Sequence, residues 1–492
     1  MKKLNKYIIA ALLFGMMGTT ACEKDFLDVN TDPNNAPSST PQLTLPAGLG
    51  SLAYVLGNQY QILGNFWAQH WTQSGGANQY QQINQYQVTS TNYDDRVWGQ
   101  LYAGALTDFK FVSENGTSTG NVNHAAIAEI MSAYTFQVLT DAHDRIPFSE
   151  ALQGAANLTP KYDSQEEVYN GLIPMIDNAL AKIDAGAPTP GAEDFVFGGD
   201  MALWRRFANT LKLKIYLRQA YVRPAVAEAG IRALYNSNAQ FLENGMDAEV
   251  TFSDVSLNRN PIFQTAFTFR GGVDIVASNT VLDYMLAADT TGAGLVDPRI
   301  DNFFAPAESG ANAGQFVGVD QGAAGTSVPN ATNVSKPGMD VAGPTAAVPF
   351  ISAAESYFLQ AEAAARYGVG SASAATLYAR GVTASFNYFG DGSEVAAYLA
   401  SPLRAYPTGG SVEEQVERII TEKWLSMNGR QGFEAWTEHR RTDYPSFIEP
   451  ALNNSTGNVL PKRLPYVNSE RTSNPNTPPL EEVTVPVWWD VN

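Results

Sequence analysis

Apolar side chains recur along most of the chain at intervals of three and four residues, the spacing of one face of an α-helix. One such stripe consists of Ile127, Ile130, Met131, Tyr134 and Val138. Ser164 and Ser411 each precede a glutamate by three residues at the head of a similar stripe, which is the capping-box pattern of a helix start, and Asp200 can cap another helix. Strand-like alternation is short, as in residues 249–252. The pattern predicts a fold that is all-α or nearly so.

Two of the predicted helices, residues 355–367 and 374–386, are separated by a short Gly/Ser-containing link. The pair spans about the 34 residues of a tetratricopeptide unit, although an ordinary helical hairpin fits the segment equally well. Two long stretches, residues 58–98 and 289–345, lack a helical period. Irregular segments of that length in a compact protein are usually functional. The Trp488-Trp489 pair near the C-terminus is expected to pack against the body.

The first 21 residues have the features of a signal peptide: a basic start and an apolar run over residues 7–17. Small residues then lead into Cys22, the only cysteine in the chain. This placement predicts a lipoprotein in which Cys22 carries the lipid, the alternative being an ordinary secretory signal followed by an unmodified cysteine. Residues 22–46, which are rich in Pro, Asn and Ser, are predicted to form a tether, and residues 47–492 a single helical domain.

Composition narrows the possible partners. The formal net charge of −18 disfavours nucleic acid. The four histidines are far apart in sequence and no paired His/Cys spacing occurs, so we predict neither a metal site nor a cofactor. Five basic side chains are concentrated in residues 205–218 of this acidic protein. We expect them to pair with internal carboxylates such as Glu422 or Glu434, the alternative being an anionic ligand.

Several segments, in their order and spacing, resemble the SusD/RagB family of outer-membrane nutrient-binding lipoproteins of Bacteroidetes, and more narrowly its SusD-like branch. They are residues 22–28 (CEKDFLD), 141–151 (DAHDRIPFSEA), 204–214 (WRRFANTLKLK), 355–363 (ESYFLQAEA), 422–424 (EKW), 432–436 (GFEAW) and 463–466 (RLPY). The acidic cluster after Cys22 also resembles the signal that directs such lipoproteins to the cell surface. The resemblance implies tetratricopeptide-like helix pairs that form a scaffold, with irregular loops on one side.

The same resemblance implies a function. Members bind glycans or peptides, are not enzymes, and deliver their ligand to a TonB-dependent outer-membrane transporter of the SusC type. Two alternatives remain: a lid that gates the transporter with little ligand affinity of its own, and a surface hydrolase. A glycosidase needs two carboxylates about 5–10 Å apart across a cleft, which a sequence does not reveal.

Within residues 58–98, aromatic rings alternate with amides, a mixture suited to sugars or peptide side chains. The predicted stacking rings and their hydrogen-bonding partners are Tyr80, Tyr86, Tyr93, Trp71, Gln79, Gln82 and Asn84. Four rings of this stretch have a favoured alternative, which is a place in the hydrophobic core. They are Phe66, Trp67, Trp71 and Trp98. The three tyrosines, set among polar residues, are predicted to lie in a loop.

Overall fold

The computed structural model describes residues 39–91, 95–287 and 294–492. Cys22, the predicted signal peptide and Tyr93 lie outside these residues. Residues Pro41–Asn492 form one compact unit. Across the described residues, every helix is too short or too polar to cross a lipid bilayer.

Helices account for most of this unit. They are α1 Pro41–Leu56, α2 Gln59–Trp67, α3 Gln81–Asn84, α4 Asp95–Gly99, α5 Thr107–Ser118, α6 Val122–His143, α7 Gln165–Lys182, α8 Met201–Arg218, α9 Pro224–Asn236, α10 Asn279–Met285, α11 Ile300–Phe303, α12 Met339–Ala342, α13 Ala353–Tyr367, α14 Ala374–Phe389, α15 Val395–Ala400, α16 Val412–Ser426, α17 Gly432–Thr442 and α18 Asn468–Ser473. Two π-helical segments, Gln100–Leu106 and Phe263–Thr268, join them. The predicted helical fold is confirmed.

The described strands form three small antiparallel pairs. They are β1 Trp71–Gln73 with β3 Ile275–Ala277, β2 Ala248–Val250 with β6 Val348–Ile351, and β4 Phe304–Ala305 with β5 Lys336–Pro337. Each pair joins segments that are far apart in sequence. The strands therefore fasten the long irregular segments to the helical scaffold.

Local signals in the sequence set several helix starts. The Ser164 hydroxyl accepts a hydrogen bond from the Glu167 backbone N–H, and the Glu167 carboxylate accepts one from the Ser164 N–H. Ser411 and Glu414 form the same box at the start of α16. Asp200 caps α8 by accepting from two backbone N–H groups. These contacts satisfy donors that a helix start otherwise leaves without a partner.

The predicted helix pair is α13 and α14, which pack against each other. Gly381 lies against the ring of Phe358, where an added Cβ would come within 2.8 Å of a ring carbon. The absence of a side chain at this position permits the close packing of the two helices. A cluster of buried apolar residues from both helices, with Tyr398 and Ile419, forms their core.

Two boundaries differ from the sequence prediction. The tether predicted to extend to residue 46 overlaps a helix, because α1 begins at Pro41 and its Leu45 is fully buried. Residues 59–67 form helix α2 although they showed no amphipathic period. This helix buries polar residues as well as apolar ones: the Gln61 Oε1 accepts from the Gly432 N–H (3.1 Å) and the Asn65 Oδ1 from the Gly429 N–H (3.0 Å).

A buried network of ion pairs joins the helices of the scaffold. Arg218 contacts Glu434 (2.6 Å) and Glu438, and Lys214 contacts Glu434 (2.9 Å) and Glu355 (3.0 Å). Arg441 extends the network by contacting Glu438 (2.8 Å). The predicted pairing of this basic helix with Glu434 is confirmed for its two buried cations.

The other predicted pairings of the basic helix differ. Arg205 donates to backbone carbonyls, whereas Arg206 and Lys212 pair with carboxylates of the surface. Glu422 instead lies near Arg299 (3.5 Å) and Arg404 (3.8 Å). The C-terminal Trp489 is buried as expected.

Candidate ligand groove

A groove of about 540 Å³ lies where three irregular regions converge on helix α10. Its walls come from α10 and Ala287, from residues 320–321, and from residues 447–452. The lining residues are Gln69, Asn279, Thr280, Asp283, Tyr284, Ala287, Asp320, Gln321, Phe447, Glu449, Pro450 and Leu452. The mixture of aromatic, aliphatic and polar side chains is typical of a small-molecule site.

The backbone around β3 places these walls. The Ser278 N–H donates to the His70 carbonyl (3.1 Å), and the hydroxyl of the same residue caps the start of α10. The Val319 N–H donates to the Ala277 carbonyl (3.0 Å), and the Asn279 N–H donates to the Val319 carbonyl (3.0 Å). Residues 319–320 are therefore held beside the first turn of α10.

Two stacked rings, Tyr284 and Phe447, form the aromatic part of the groove. Their centroids are 5.4 Å apart and their planes differ by 25°. The ring of Trp424 meets both of them edge-on from the protein interior, at 6.0 Å and 5.5 Å. Phe447 is 39% exposed, which is unusual for a side chain of this size. The pair presents an apolar face to a ligand.

The Tyr284 ring is held in place from several sides. Its hydroxyl donates to the Glu422 carboxylate (2.8 Å), and the Arg404 guanidinium lies 3.8 Å from the ring centroid. Burial, and secondarily the charge of Glu422, raises the pKa of this hydroxyl well above its usual range. Tyr284 therefore remains a neutral, fixed ring at physiological pH.

Polar side chains of the groove are connected in pairs. The Asn279 Nδ2 donates to the Asp320 carboxylate (2.6 Å), and the Thr280 hydroxyl donates to the Gln69 Oε1 (2.7 Å). Asp283 is exposed beside them. Partial burial, and secondarily the charge of Asp320, raises the pKa of the Asp283 carboxyl.

The structure places Tyr80 and Tyr86 in turns, but it buries both rings, which were predicted to face a ligand. Tyr86 is 1% exposed and meets Trp67 edge-on at 6.4 Å between centroids, while its hydroxyl accepts from the Ala451 N–H (3.0 Å). Tyr80 is buried against Phe66. Burial raises the pKa of both hydroxyls to about 12. Both rings belong to the buried core.

Other members of the predicted ligand set also lie away from the groove surface. Trp71 is fully buried, and Phe66, Trp67 and Trp98 are buried as well. The core alternative is therefore confirmed for all four rings. Asn84 is buried and its Oδ1 accepts from the Gln321 Nε2 (2.8 Å). Gln79 and Gln82 are exposed but do not line the groove. These residues therefore do not line the groove, although Asn84 holds Gln321, which does.

Sequence reasoning missed Tyr284 and Phe447. Tyr284 falls in the short helix α10, whose seven residues are too few to show a helical period. The sequence does contain an indication for Phe447. It is a large aromatic residue in a segment bounded by Pro445 and Pro450, where the core helices have ended.

Metal chemistry has no support within the described ranges. No group of three or more His, Cys, Asp or Glu side chains in these ranges is arranged to hold an ion. The groove carboxylates Asp283, Asp320 and Glu449 belong to no such group. Their arrangement is suited to accepting hydrogen bonds.

Comparisons with known proteins agree with this architecture. A family model described as "SusD-like_2: Starch-binding associating with outer membrane" matches residues 33–467. A solved chitin-binding protein is 26% identical, with a TM-score of 0.77 over 92% of this chain and 100% of its own. A SusD homologue from Bacteroides uniformis is also 26% identical, with a TM-score of 0.75 over 91% and 99% of the two chains.

A chitin-binding SusD homologue from Flavobacterium johnsoniae has the same fold. It is 24% identical, with a TM-score of 0.76 over 91% of this chain and 99% of its own. A search of curated protein sequences finds no match.

Proposed function

The chain belongs to the SusD-like family of starch-binding proteins associated with the outer membrane, and on that premise we propose that it binds an oligosaccharide in the groove between α10 and residues 447–452. Proteins of this family bind nutrients and are not enzymes. The hydrolase alternative is therefore excluded. The groove combines a stacked aromatic pair with polar side chains, which suits such a ligand.

The observation that carries the proposal is the stacked pair Tyr284 and Phe447 bordered by polar side chains. The axial C–H face of a pyranose ring packs on an aromatic face, and its hydroxyls lie at the edge of the ring. Asn279, Asp320 and Gln321 line the same groove and supply polar atoms at its border. One site thus offers both an apolar face and hydrogen-bonding groups.

A glycan ligand is favoured over a peptide for two reasons. Among the described lining residues there is no exposed strand edge that would pair with an extended peptide backbone, which is a common mode of peptide binding. The solved relative of 26% identity is a chitin-binding protein. A β-linked, N-acetylglucosamine-containing oligosaccharide is accordingly the first ligand to test.

A binding panel tests the proposal directly. The chain with Cys22→Ala, purified without detergent, is titrated calorimetrically with chito-oligosaccharides, malto-oligosaccharides and a mixture of peptides. We expect saturable binding to at least one glycan series and none to the peptides. Binding of peptides alone would overturn the proposal, and binding of no ligand would favour the gating alternative, in which the transporter makes the main ligand contacts.

Two further parts of the proposed function concern the membrane. We propose that a lipid on Cys22 anchors the protein to the outer membrane with the body exposed at the cell surface, and that it delivers its ligand to a SusC-like TonB-dependent transporter. The acidic, lipoprotein-like sequence after Cys22 and the family membership support both.

Each part has its own test. Cys22→Ala should move the protein from the membrane to the soluble fraction without lowering its melting temperature, since α1 begins only at Pro41. Affinity purification of the unaltered protein from detergent-solubilised membranes should recover a TonB-dependent barrel. Repeated purification without such a barrel would contradict the partnership, and sedimentation of the Cys22→Ala protein with membranes that lack the barrel would contradict the anchor.

A further inference from the structure

We infer that the groove selects its ligand by hydrogen-bond donors and positive charge: it prefers oligosaccharides with free amino groups, such as de-N-acetylated glucosamine oligomers, over neutral ones, and it rejects uronates. This inference rests on the proposed glycan-binding function and specifies the ligand class of the same groove. Charge, the use of the available donors and one unpartnered acceptor each support it.

The charge of the groove is one-sided. Asp283, Asp320 and Glu449 are its charged lining residues, and none of the described lining residues carries a cationic side chain. None of the three carboxylates forms a salt bridge within the described part of the chain. Arg404 and Arg418 are not lining residues: Arg404 packs on the Tyr284 ring, Arg418 donates to the Tyr284 hydroxyl, and both donate to the Leu403 carbonyl. An anionic ligand would therefore meet like charge on every charged side chain that lines the groove.

Each side-chain donor group of the groove makes a hydrogen bond within the protein. The Thr280 hydroxyl donates to Gln69, and the Gln69 Nε2 donates to the Glu449 carbonyl. The Asn279 Nδ2 donates to Asp320, and the Tyr284 hydroxyl donates to Glu422. The hydroxyl hydrogens are thus used and each amide keeps one N–H, so the groups most available to a ligand are acceptors, above all the carboxylate oxygens.

Gln321 adds a neutral acceptor that lacks a partner. Its side chain is 6% exposed and lines the groove, and its Oε1 makes no hydrogen bond. The orientation of this amide is fixed by its Nε2, which donates to the Asn84 Oδ1 (2.8 Å). The same atom of Asn84 also accepts from the Gly322 N–H (3.3 Å), which identifies it as the amide oxygen and not the amide nitrogen. A buried acceptor without a partner is costly, and a ligand donor would satisfy it.

Sugar derivatives differ in what they offer such a groove. Hydroxyl and acetamido groups donate neutral hydrogen bonds, whereas an ammonium group donates charge-assisted bonds that are about twice as strong. A uronate carboxylate has no donor and is repelled by Asp283, Asp320 and Glu449. The acceptor-rich groove thus ranks the three classes as cationic, neutral and anionic, in order of decreasing affinity.

The test compares three tetrasaccharides with the same β-1,4 linkage: glucosamine, N-acetylglucosamine and glucuronate. Affinities are measured calorimetrically at about pH 5.5 and low salt, with the Cys22→Ala chain. We expect the glucosamine tetramer to bind at least about tenfold more tightly than the N-acetylated one, and the glucuronate tetramer to bind at least about tenfold more weakly. Added salt should reduce the cationic preference, because exposed charges are screened.

Isosteric variants separate charge from shape. Asp283→Asn and Asp320→Asn should each bring the ratio of the glucosamine to the N-acetylglucosamine affinity closer to one. Glu228→Gln removes an exposed carboxylate on α9, outside the groove, and should leave this ratio unchanged.

The outcomes distinguish the inference from the proposed function. Equal affinities for the neutral and cationic tetramers, with variants that do not alter their ratio, would overturn the inference and leave glycan binding in place. Tight binding of the glucuronate tetramer would overturn it as well. If no member of this series or of the malto-oligosaccharide series bound, both the inference and the proposed function would fail.

Discussion

The Gln321 side-chain amide donates a 2.8 Å hydrogen bond to the buried Asn84 Oδ1, which joins the groove surface to the segment beneath it. Asn84 also accepts from the Thr72 hydroxyl (3.0 Å) and the Gly322 N–H (3.3 Å). One buried amide oxygen thus holds three donors from two distant parts of the chain. The position of residues 320–322, and with it one wall of the groove, depends on this oxygen.

Replacing Asn84 by Ala should both destabilise the protein and weaken ligand binding. The change leaves buried donors without a partner, at about 1–3 kcal/mol for such a loss, and frees Gln321 to move. The free energy of unfolding from urea denaturation and the glycan affinity measure the two effects. Gln82→Ala, at an exposed position in the same short helix, is the matched control and should change stability by no more than about 0.5 kcal/mol. An Asn84→Ala protein with unaltered stability would contradict this account.

Replacing Tyr86 by Ala tests the correction to the predicted ligand set. The ring is buried against Trp67, so its loss should cost about 3–5 kcal/mol, as for other large aromatic residues of a core. Melting temperature and ligand affinity per folded molecule are measured together. A fully stable Tyr86→Ala protein with much weaker binding would show instead that this ring contacts the ligand.

Replacing Arg218 by Met tests the buried network. The change leaves Glu434 and Glu438 without their shortest partner in the protein interior, and breaking such a buried pair costs about 3–5 kcal/mol. Arg232→Met is the matched control, because Arg232 pairs with Glu228 at the surface and such pairs contribute about 0–1 kcal/mol. Equal urea midpoints for the two variants would show that the network contributes little to stability.

Acid should destabilise the protein through its buried histidines. Burial lowers the pKa of His70 and His143 to about 3 and that of His439 to about 4, from an ordinary value of 6.5. The unfolded chain therefore binds protons below pH 6.5 that the folded chain does not bind. The resulting stability is complete above pH 6.5 and is lost as pH falls toward these lowered values, by about 1 kcal/mol for each histidine between pH 7 and 5.5.

Urea denaturation at the two pH values measures this loss. His143→Gln should reduce the difference between the two free energies of unfolding by about a third, whatever its effect on stability at pH 7. An unchanged difference would contradict the assignment of a buried neutral imidazole to His143.

The helical fold class could be predicted from the sequence because helix caps and apolar stripes depend only on residues that are close together in the chain. Ser164 and Ser411 cap helices at the predicted positions, and the 127–138 stripe is buried in α6. Helix α2 was missed because Gln61 and Asn65 form hydrogen bonds to a distant loop and are as buried as its apolar residues. Polarity in a sequence indicates exposure only where such long-range partners are absent.

The same difficulty explains the incorrect ligand face. Tyr86 and Asn84 stand among polar residues, but both are buried in contact with residues 321–322 and 451, more than 200 positions away. The groove rings Tyr284 and Phe447 are themselves separated by more than 150 positions. Only the folded chain brings them together, so composition indicated the neighbourhood of the site but not its surface.

Removal of the Phe447 ring tests most directly whether the groove is the ligand site. Phe447 is the exposed member of the stacked pair and packs on Tyr284 and Trp424 from the surface, so Phe447→Ala should leave the protein folded. Phe269→Ala removes an equally large, exposed ring outside the groove and is the matched control. Affinity for the glycan identified by the binding panel, together with the melting temperature, is measured for both variants.

The account predicts that Phe447→Ala weakens glycan binding by at least about tenfold, or about 1.4 kcal/mol, because the variant loses both the stacking contact and the apolar area of the ring. Phe269→Ala should bind as the unaltered protein does, and both variants should melt at nearly the same temperature as that protein. Unchanged glycan affinity in a folded Phe447→Ala protein would contradict the assignment of the groove as the binding site.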